Sequence, residues 1–283
     1  MAQSKDKENK YKTVLPDSTE MRREKMARIE CNVISYVLQR TVDITVIIPS
    51  VTMPEALSWK EKYPSHVIKE EYPVIYLLHG MGNNHATWCG YSNIEMFAEE
   101  RNIAVVMISG ENKFYRSVPN GDDYERFIEE ELPEFVTSMF PISKLPEHTY
   151  IAGLSMGGAG ALMHGIENPD KFAAIGAFSA AIRNKASKEP NDWGLPDPRE
   201  KILLNQKKGK KLPEIYLACG TEDSLYQENK MFKEFLEENK EKVTWVSEEG
   251  FGHEWRFWDR QVECFLDWIP RTDGYAKLGK RKI

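Results

Sequence analysis

No stretch of this chain approaches the ~18 consecutive apolar residues of a membrane-spanning helix, and its polar start, MAQSKDKENK, lacks the apolar core of a secretory leader. A cytoplasmic location is the expectation. An excess of positive charge is missing too: 38 Lys and Arg stand against 44 Asp and Glu, a net charge of −6. That balance argues against nucleic acid and anionic membranes as partners, because both demand a basic surface. Cysteine is sparse. Cys31, Cys89, Cys219 and Cys264 form no C-x-x-C and no His-paired cluster, so neither a zinc site nor a disulfide framework is expected. Cys31, Cys219 and Cys264 lie among apolar neighbours and read as reduced core thiols. No internal repeat and no long Pro/Gly/Ser linker divides the chain. With 283 residues and 41% hydrophobic content it is long and apolar enough for one sizeable core.

What is present alternates between β and α patterns. Residues 1–28 are a polar extension, and 271–283 a short basic tail read as solvated. Between them, over 29–270, Ile29–Tyr36 and Arg40–Ile48 are rich in β-branched residues and separated by a short turn, the pattern of an antiparallel pair. Short continuous apolar runs at Pro73–Leu78 and Ile103–Ser109 mark strands buried on both faces, and further strands are read at Thr149–Ala152, Ala173–Phe178, Ile215–Cys219 and Val243–Ser247. Helical patterns separate them at Ile94–Arg101, Asp122–Met139, Met156–Glu167, Gln227–Asn239 and Trp255–Trp268. Strands alternating with helices predict right-handed βαβ units, hence an α/β fold with a mostly parallel central sheet and helices on both faces. The rhythm breaks near 183–212, which holds Pro190, Trp193, Gly194, Pro196 and Pro198 and reads as a cap insertion. Its many charges argue for a dissolved substrate rather than a lipid surface. Ile202-Leu203-Leu204, with Trp193 and Leu195, is its apolar patch and is expected to pack the cap down.

The sharpest motif is Gly153-Leu154-Ser155-Met156-Gly157, a G-x-S-x-G between a strand and a helix. Glycines are needed there because a serine on a strained strand-to-helix turn leaves no room beside it. A serine hydroxyl needs a base, and in this arrangement the chain order is Ser, acid, His. Only His164 and His253 follow Ser155. His164 lies nine residues along the same helix, about 13 Å away at ~1.5 Å per residue, and cannot reach back. His253, in Gly250-Phe251-Gly252-His253-Glu254-Trp255 before the last helix, is the candidate base. The acid must lie between them at a strand end. Asp223, after Gly220-Thr221-Glu222, fits better than Asp170, Asp192 or Asp197, and Glu222 should point away. His79-Gly80-Met81-Gly82 follows the Pro73–Leu78 strand. Its Met81 amide, with the Met156 amide, would form an oxyanion hole, with Gly82 as the alternative to Met81 and His79 as a structural residue.

Those four segments resemble the esterase D-like branch of the α/β-hydrolases. The resemblance runs from about Ile29 to Pro270 and rests on Tyr76-Leu77-Leu78-His79-Gly80-Met81, Ala152-Gly153-Leu154-Ser155-Met156-Gly157-Gly158, Cys219-Gly220-Thr221-Glu222-Asp223 and Gly252-His253-Glu254-Trp255. In look the chain is most similar to bacterial tributyrin esterases and cinnamoyl or feruloyl esterases. It implies a Ser155–Asp223–His253 triad, a Met81/Met156 oxyanion hole, a small-molecule ester substrate with a short acyl or hydroxycinnamoyl group, and no metal or cofactor. It leaves a homo-oligomer open. An S-formylglutathione hydrolase-type thioesterase is the nearest rival, and Asn83-Asn84-His85 and Glu254-Trp255 depart from that branch. A non-catalytic binding module on the same fold is a rival of another class. Aromatic residues suited to a pocket wall are Trp88, Phe114, Tyr115, Trp193 and Trp255, with Cys89, Tyr91 and Asn112 beside them.

Overall fold

A computed structural model describes residues 27–50, 52, 54, 70–119, 121–182, 196–281 and 283. Two β-branched segments, β1 (Ala27–Ser35) and β2 (Arg40–Ile48), pair antiparallel. β1 alternates half-buried and exposed residues, as an edge strand covered on one face should. β2 docks antiparallel on β4 (Ala104–Ile108), and β4 pairs in parallel with β3 (Val74–Leu78). From there the sheet is parallel: β3, then β5 (Thr149–Leu154), β6 (Ala174–Phe178), β7 (Glu214–Gly220) and β8 (Val243–Glu248). The order β1-β2-β4-β3-β5-β6-β7-β8 reverses direction at β3 and β5. In an open parallel sheet a crevice forms at the carboxyl ends of the strands where the order reverses. The strand carrying the G-x-S-x-G lies at that reversal.

The strands β3, β4 and β6 are buried along their whole length, as their unbroken apolar sequences predict. One apolar cluster lies on each face of the sheet. The first gathers Ile44, Val106, Leu78, Ile151, Leu162, Ile175 and Phe232. The second gathers Ile75, Val105, Ala152, Phe178, Phe257 and Phe265. Helices cover both faces: α1 (Thr87–Tyr91), α2 (Ile94–Arg101), α3 (Tyr124–Arg126), a π-helical turn (Phe127–Glu131), α4 (Leu132–Met139), α5 (Met156–Glu167), α6 (Pro198–Lys207), α7 (Tyr226–Glu238) and α8 (Trp255–Trp268).

Four differences from the sequence reading have physical causes. The helix expected over Asp122–Met139 carries a π turn at its centre, and Glu129 on that turn bonds the buried His164. The C-terminal segment expected to be solvated is docked. Tyr275 is buried and stacks on Tyr72, and Arg281 is buried against Glu99. Basic residues near a chain end look solvated in sequence, but here they meet a buried carboxylate. Of the three thiols read as core, Cys219 is buried, Cys31 is half-buried and Cys264 is exposed on α8. Of the apolar patch expected to pack the segment down, Ile202 is buried on α6 while Leu203 and Leu204 are exposed. The first part of the expected insertion, 183–195 with Trp193 and Leu195, lies outside the described residues.

Candidate active site

The turn between β5 and α5 concentrates its strain on one residue. Ser155 has φ 52° and ψ −115°, a region that L-residues occupy only when their surroundings hold them there. The constraint comes from close backbone packing. A Cβ on Gly157 would lie 2.4 Å from the Leu78 carbonyl oxygen, and one on Gly153 2.5 Å from the Gly157 backbone. Neither neighbour can retreat, since both belong to the central sheet and its packed helix. Two further bonds lock the turn: the Ser155 N–H donates to Phe178 O at 2.8 Å, and the Ser155 carbonyl accepts from Ala181 N at 3.0 Å.

The other two residues arrive on loops at the carboxyl end of the sheet. His253 Nε2 stands 3.0 Å from Ser155 Oγ, and His253 Nδ1 lies 2.9 Å from Asp223 Oδ2 and 3.1 Å from Oδ1. Asp223 follows β7 and is fixed from its own side, where its Oδ1 accepts from Leu225 N at 2.8 Å. The side chain of Asp223 is fully buried while that of His253 is 35% exposed, which leaves one end of the imidazole open to a substrate. Burial alone would raise the Asp223 pKa, but hydrogen bonds from His253, Leu225 and Ser179 outweigh it and hold the carboxyl below its usual range. Asp223 is therefore charged. A charged acceptor at Nδ1 places the imidazole proton there and leaves Nε2 free to accept from Ser155. Glu222, its neighbour, is exposed.

Two amides are left open beside Ser155. Met156 is the first residue of α5, and the N–H of a first helical residue has no intrahelical acceptor. Met81 sits in the loop after β3, where no protein partner of its N–H is found among the described residues. Gly82, the alternative to Met81, has its N–H taken by Asn112 Oδ1 at 2.7 Å, so Met81 remains. His79 supports this loop from below. Gly110 N donates to His79 Nε2 at 2.8 Å, which puts the imidazole proton on Nδ1, and that proton goes to Gly80 O at 2.6 Å. Burial lowers the His79 pKa and keeps it neutral. Tyr115 adds a bond from its hydroxyl to His79 O at 2.9 Å.

The aromatic residues divide. Trp88 is fully buried, with its indole N–H on Leu78 O at 3.1 Å, and Tyr115 is fully buried edge-on to His79. Both are removed from the pocket wall because each spends its polar atom on the backbone beneath the site. Trp255 stacks on Tyr91 and meets Trp88 and Trp258 edge-on. Phe114 lines an open pocket with Ala159, Leu162, Ile166, Ala181 and Ile182, rimmed by Glu167, Asp197 and Lys201. Ala159 and Ala181 both donate their N–H to the Ser155 carbonyl, so this pocket begins one turn from Ser155. Sequence reasoning missed Ser179 and Trp258, which carry no motif, and treated Asn112 only as a wall residue. His164, excluded as a base, is fully buried between Glu129 and the Tyr115 carbonyl. Among the described residues no cluster of His, Cys, Asp and Glu could hold a metal ion, and no helix is long and apolar enough to cross a membrane.

A strained serine at the switch point of an eight-stranded, mostly parallel sheet, with helices on both faces, defines the α/β-hydrolase fold of serine hydrolases. The chain belongs to the Esterase family, whose model matches residues 55–271. It is 33% identical over 273 residues to the acetyl esterase of Caldicellulosiruptor saccharolyticus, covering 87% of this chain and 99% of that one. Among solved structures it is similar to the fluorophosphonate-binding serine hydrolase F of Staphylococcus aureus, with 26% identity, a TM-score of 0.73, and coverage of 87% of this chain and 98% of that one. The apoenzyme of the S-formylglutathione hydrolase of Staphylococcus aureus matches with 26% identity, a TM-score of 0.72, and coverage of 87% and 99%.

Proposed function

We propose that the protein is a serine carboxylesterase acting through an acyl-enzyme on Ser155. The observation that carries this reading is the 3.0 Å contact between His253 Nε2 and the hydroxyl of a serine held at positive φ. His253 takes the Ser155 proton as Oγ attacks the ester carbonyl. The developing oxyanion turns toward the Met81 and Met156 amides, where preorganised donors lower the barrier by stabilising charge that exists only in the transition state. His253 then gives its proton to the departing alcohol. Water enters and loses a proton to the same imidazole as it attacks the acyl carbon; His253 then returns that proton to Ser155 Oγ as the acyl bond breaks and the acid leaves. Asp223 holds the imidazole tautomer and stabilises the cation at each step without taking the proton.

Short-acyl esters are the proposed substrates, with hydroxycinnamoyl esters beside them. The acetyl esterase relative supports a small acyl group. The apolar wall of the pocket along α5, made by Phe114, Leu162 and Ile166, is suited to an apolar or aryl group. The S-formylglutathione reading draws on the S-formylglutathione hydrolase likeness. A turnover panel separates these: p-nitrophenyl acetate to octanoate, methyl ferulate and S-formylglutathione. Greatest kcat/KM on the acetyl to butyryl or feruloyl members supports the proposal. Preference for the glutathione thioester overturns the substrate assignment, and no turnover of any ester overturns the enzyme.

A further inference from the structure

Met81 and Gly82 are the middle residues of a tight turn that lies against the nucleophile. The Asn83 N–H reaches back to Gly80 O at 3.4 Å, and a Cβ on Gly80 would stand 3.4 Å from Ser155 Cβ. Met81 keeps a negative φ while Gly82 has φ 75°, the pattern of a type II turn. A Cβ on Gly82 would meet nothing within 4 Å, so the glycine serves the backbone conformation alone. Types I and II differ by a flip of the middle peptide, here the one joining Met81 to Gly82. Both ends of that peptide are held by side chains. Gly82 N donates to Asn112 Oδ1 at 2.7 Å, and Asn83 Nδ2 donates to Met81 O at 3.3 Å. A backbone N–H only donates, so the Asn112 carboxamide must present its oxygen to it.

Asn112 arrives from a different loop, the one between β4 and α3, and that loop is strained. Glu111, Asn112, Phe114 and Tyr115 have φ of 45°, 56°, 54° and 58°. Non-glycine residues stay in this region only when their surroundings hold them there. The restraints flank Asn112 on both sides. Glu111 pairs with Arg40 and Lys113, and Lys113 also pairs with Asp122. The Tyr115 hydroxyl donates to His79 O, and the Tyr115 carbonyl accepts from His164 Nε2. Asparagine is among the few side chains that tolerate the left-handed region, and it brings an acceptor with it. We propose that Asn112 is a positioning residue for the oxyanion hole: by holding the Gly82 N–H it locks the Met81–Gly82 peptide in its type II orientation and keeps the Met81 amide in place beside Ser155. Without that acceptor the peptide rotates about Met81 ψ and Gly82 φ. Its carbonyl swings round, the turn relaxes, and the Met81 amide loses the preorganisation that makes a donor effective in the transition state.

This inference rests on the proposed acyl-enzyme chemistry, with Met81 as an oxyanion donor. The experiment compares Asn112→Gly, Gly82→Ala and the double variant with the wild type. Glycine accepts the left-handed backbone at position 112 freely, so Asn112→Gly removes the acceptor without adding strain. Gly82→Ala meets no neighbour and acts only by disfavouring positive φ, so it releases the same peptide from the other side. Two quantities are read: kcat and KM on p-nitrophenyl acetate, and the inhibition constant of a short alkyl trifluoromethyl ketone. Ser155 Oγ adds to the carbonyl carbon of that ketone, the Oγ proton passes to His253, and the carbonyl oxygen becomes an oxyanion in the hole. Asn112→Gly should lose roughly ten- to a hundredfold in kcat, with KM within about twofold. Affinity for the ketone should fall by the same factor as kcat, which loosened packing elsewhere in the protein would not produce. The double variant should be little worse than the worse single variant, because both changes free one peptide. Wild-type kcat in Asn112→Gly overturns the proposal. So does a kcat loss that ketone affinity does not share, or a double variant in which the two losses multiply. Absence of fluorophosphonate labelling at Ser155 in the wild type overturns the acyl-enzyme reading itself, a separate result.

Discussion

The carbonyl oxygen of Leu78, at the end of β3, sits where the side chain of residue 157 would begin: a Cβ there would lie 2.4 Å away. Leu78 also accepts the indole N–H of Trp88, so its carbonyl is pinned on the far side as well. Gly157→Ala should therefore push α5 off the sheet and take Ser155 out of register with His253. The expected cost is more than about 3 kcal/mol of stability, from overpacking against backbone that cannot yield. Thermal unfolding with parallel ester assays checks it. A variant that melts with the wild type and keeps its rate would show that the close approach is not needed.

Asp223 links activity and acid stability. Asp223→Asn should keep the fold but lose about 10⁴ in kcat, because an amide favours the wrong imidazole tautomer. The stability effect has a definite sign. The folded carboxyl titrates below its unfolded value, so its contribution is full above the unfolded pKa of about 4 and is lost as pH falls through the folded value. Unfolding free energy of the wild type should drop on acidification below pH 4, and Asp223→Asn should drop less steeply. Equal slopes in urea titrations at pH 3 and pH 5 would contradict this.

Arg281 tests the docked C-terminus. Its guanidinium lies 2.6 Å from Glu99 Oε1 and also donates to the Glu99 carbonyl, and both side chains are nearly inaccessible. Removing one partner of a buried pair leaves an uncompensated charge, at a cost of about 3–5 kcal/mol. Arg281→Ala should lower the melting temperature by many degrees while leaving the kcat of the surviving folded protein unchanged. An unchanged melting temperature would return the segment to the solvated tail that its composition suggests.

Local pattern made the sheet legible. The limits of α2, α5 and α8 coincide with the apolar periodicity, and each buried strand shows as an unbroken apolar run, since burial on both faces leaves no polar position. Ser155, His253 and Asp223 were legible because each sits where chain order and strand ends restrict the choice. Ser179 and Trp258 were not, because their positions depend on how α8 returns over β6, a contact between residues 79 apart. The π turn was hidden for a similar reason: Glu129 meets His164 only once α5 has packed. Trp88 and Tyr115 read as wall residues because an aromatic near a motif carries no sign of which way it faces.

The most direct test of the account is the pre-steady-state burst with p-nitrophenyl acetate, followed by mass analysis of the fluorophosphonate adduct. Wild type should release close to one equivalent of p-nitrophenol per chain before steady turnover, and the adduct should map to Ser155. Ser155→Ala should show neither burst nor adduct, should unfold like the wild type, and should fall by about 10⁴–10⁶ in kcat. A burst or an adduct that survives in Ser155→Ala would place the nucleophile elsewhere and contradict the central claim.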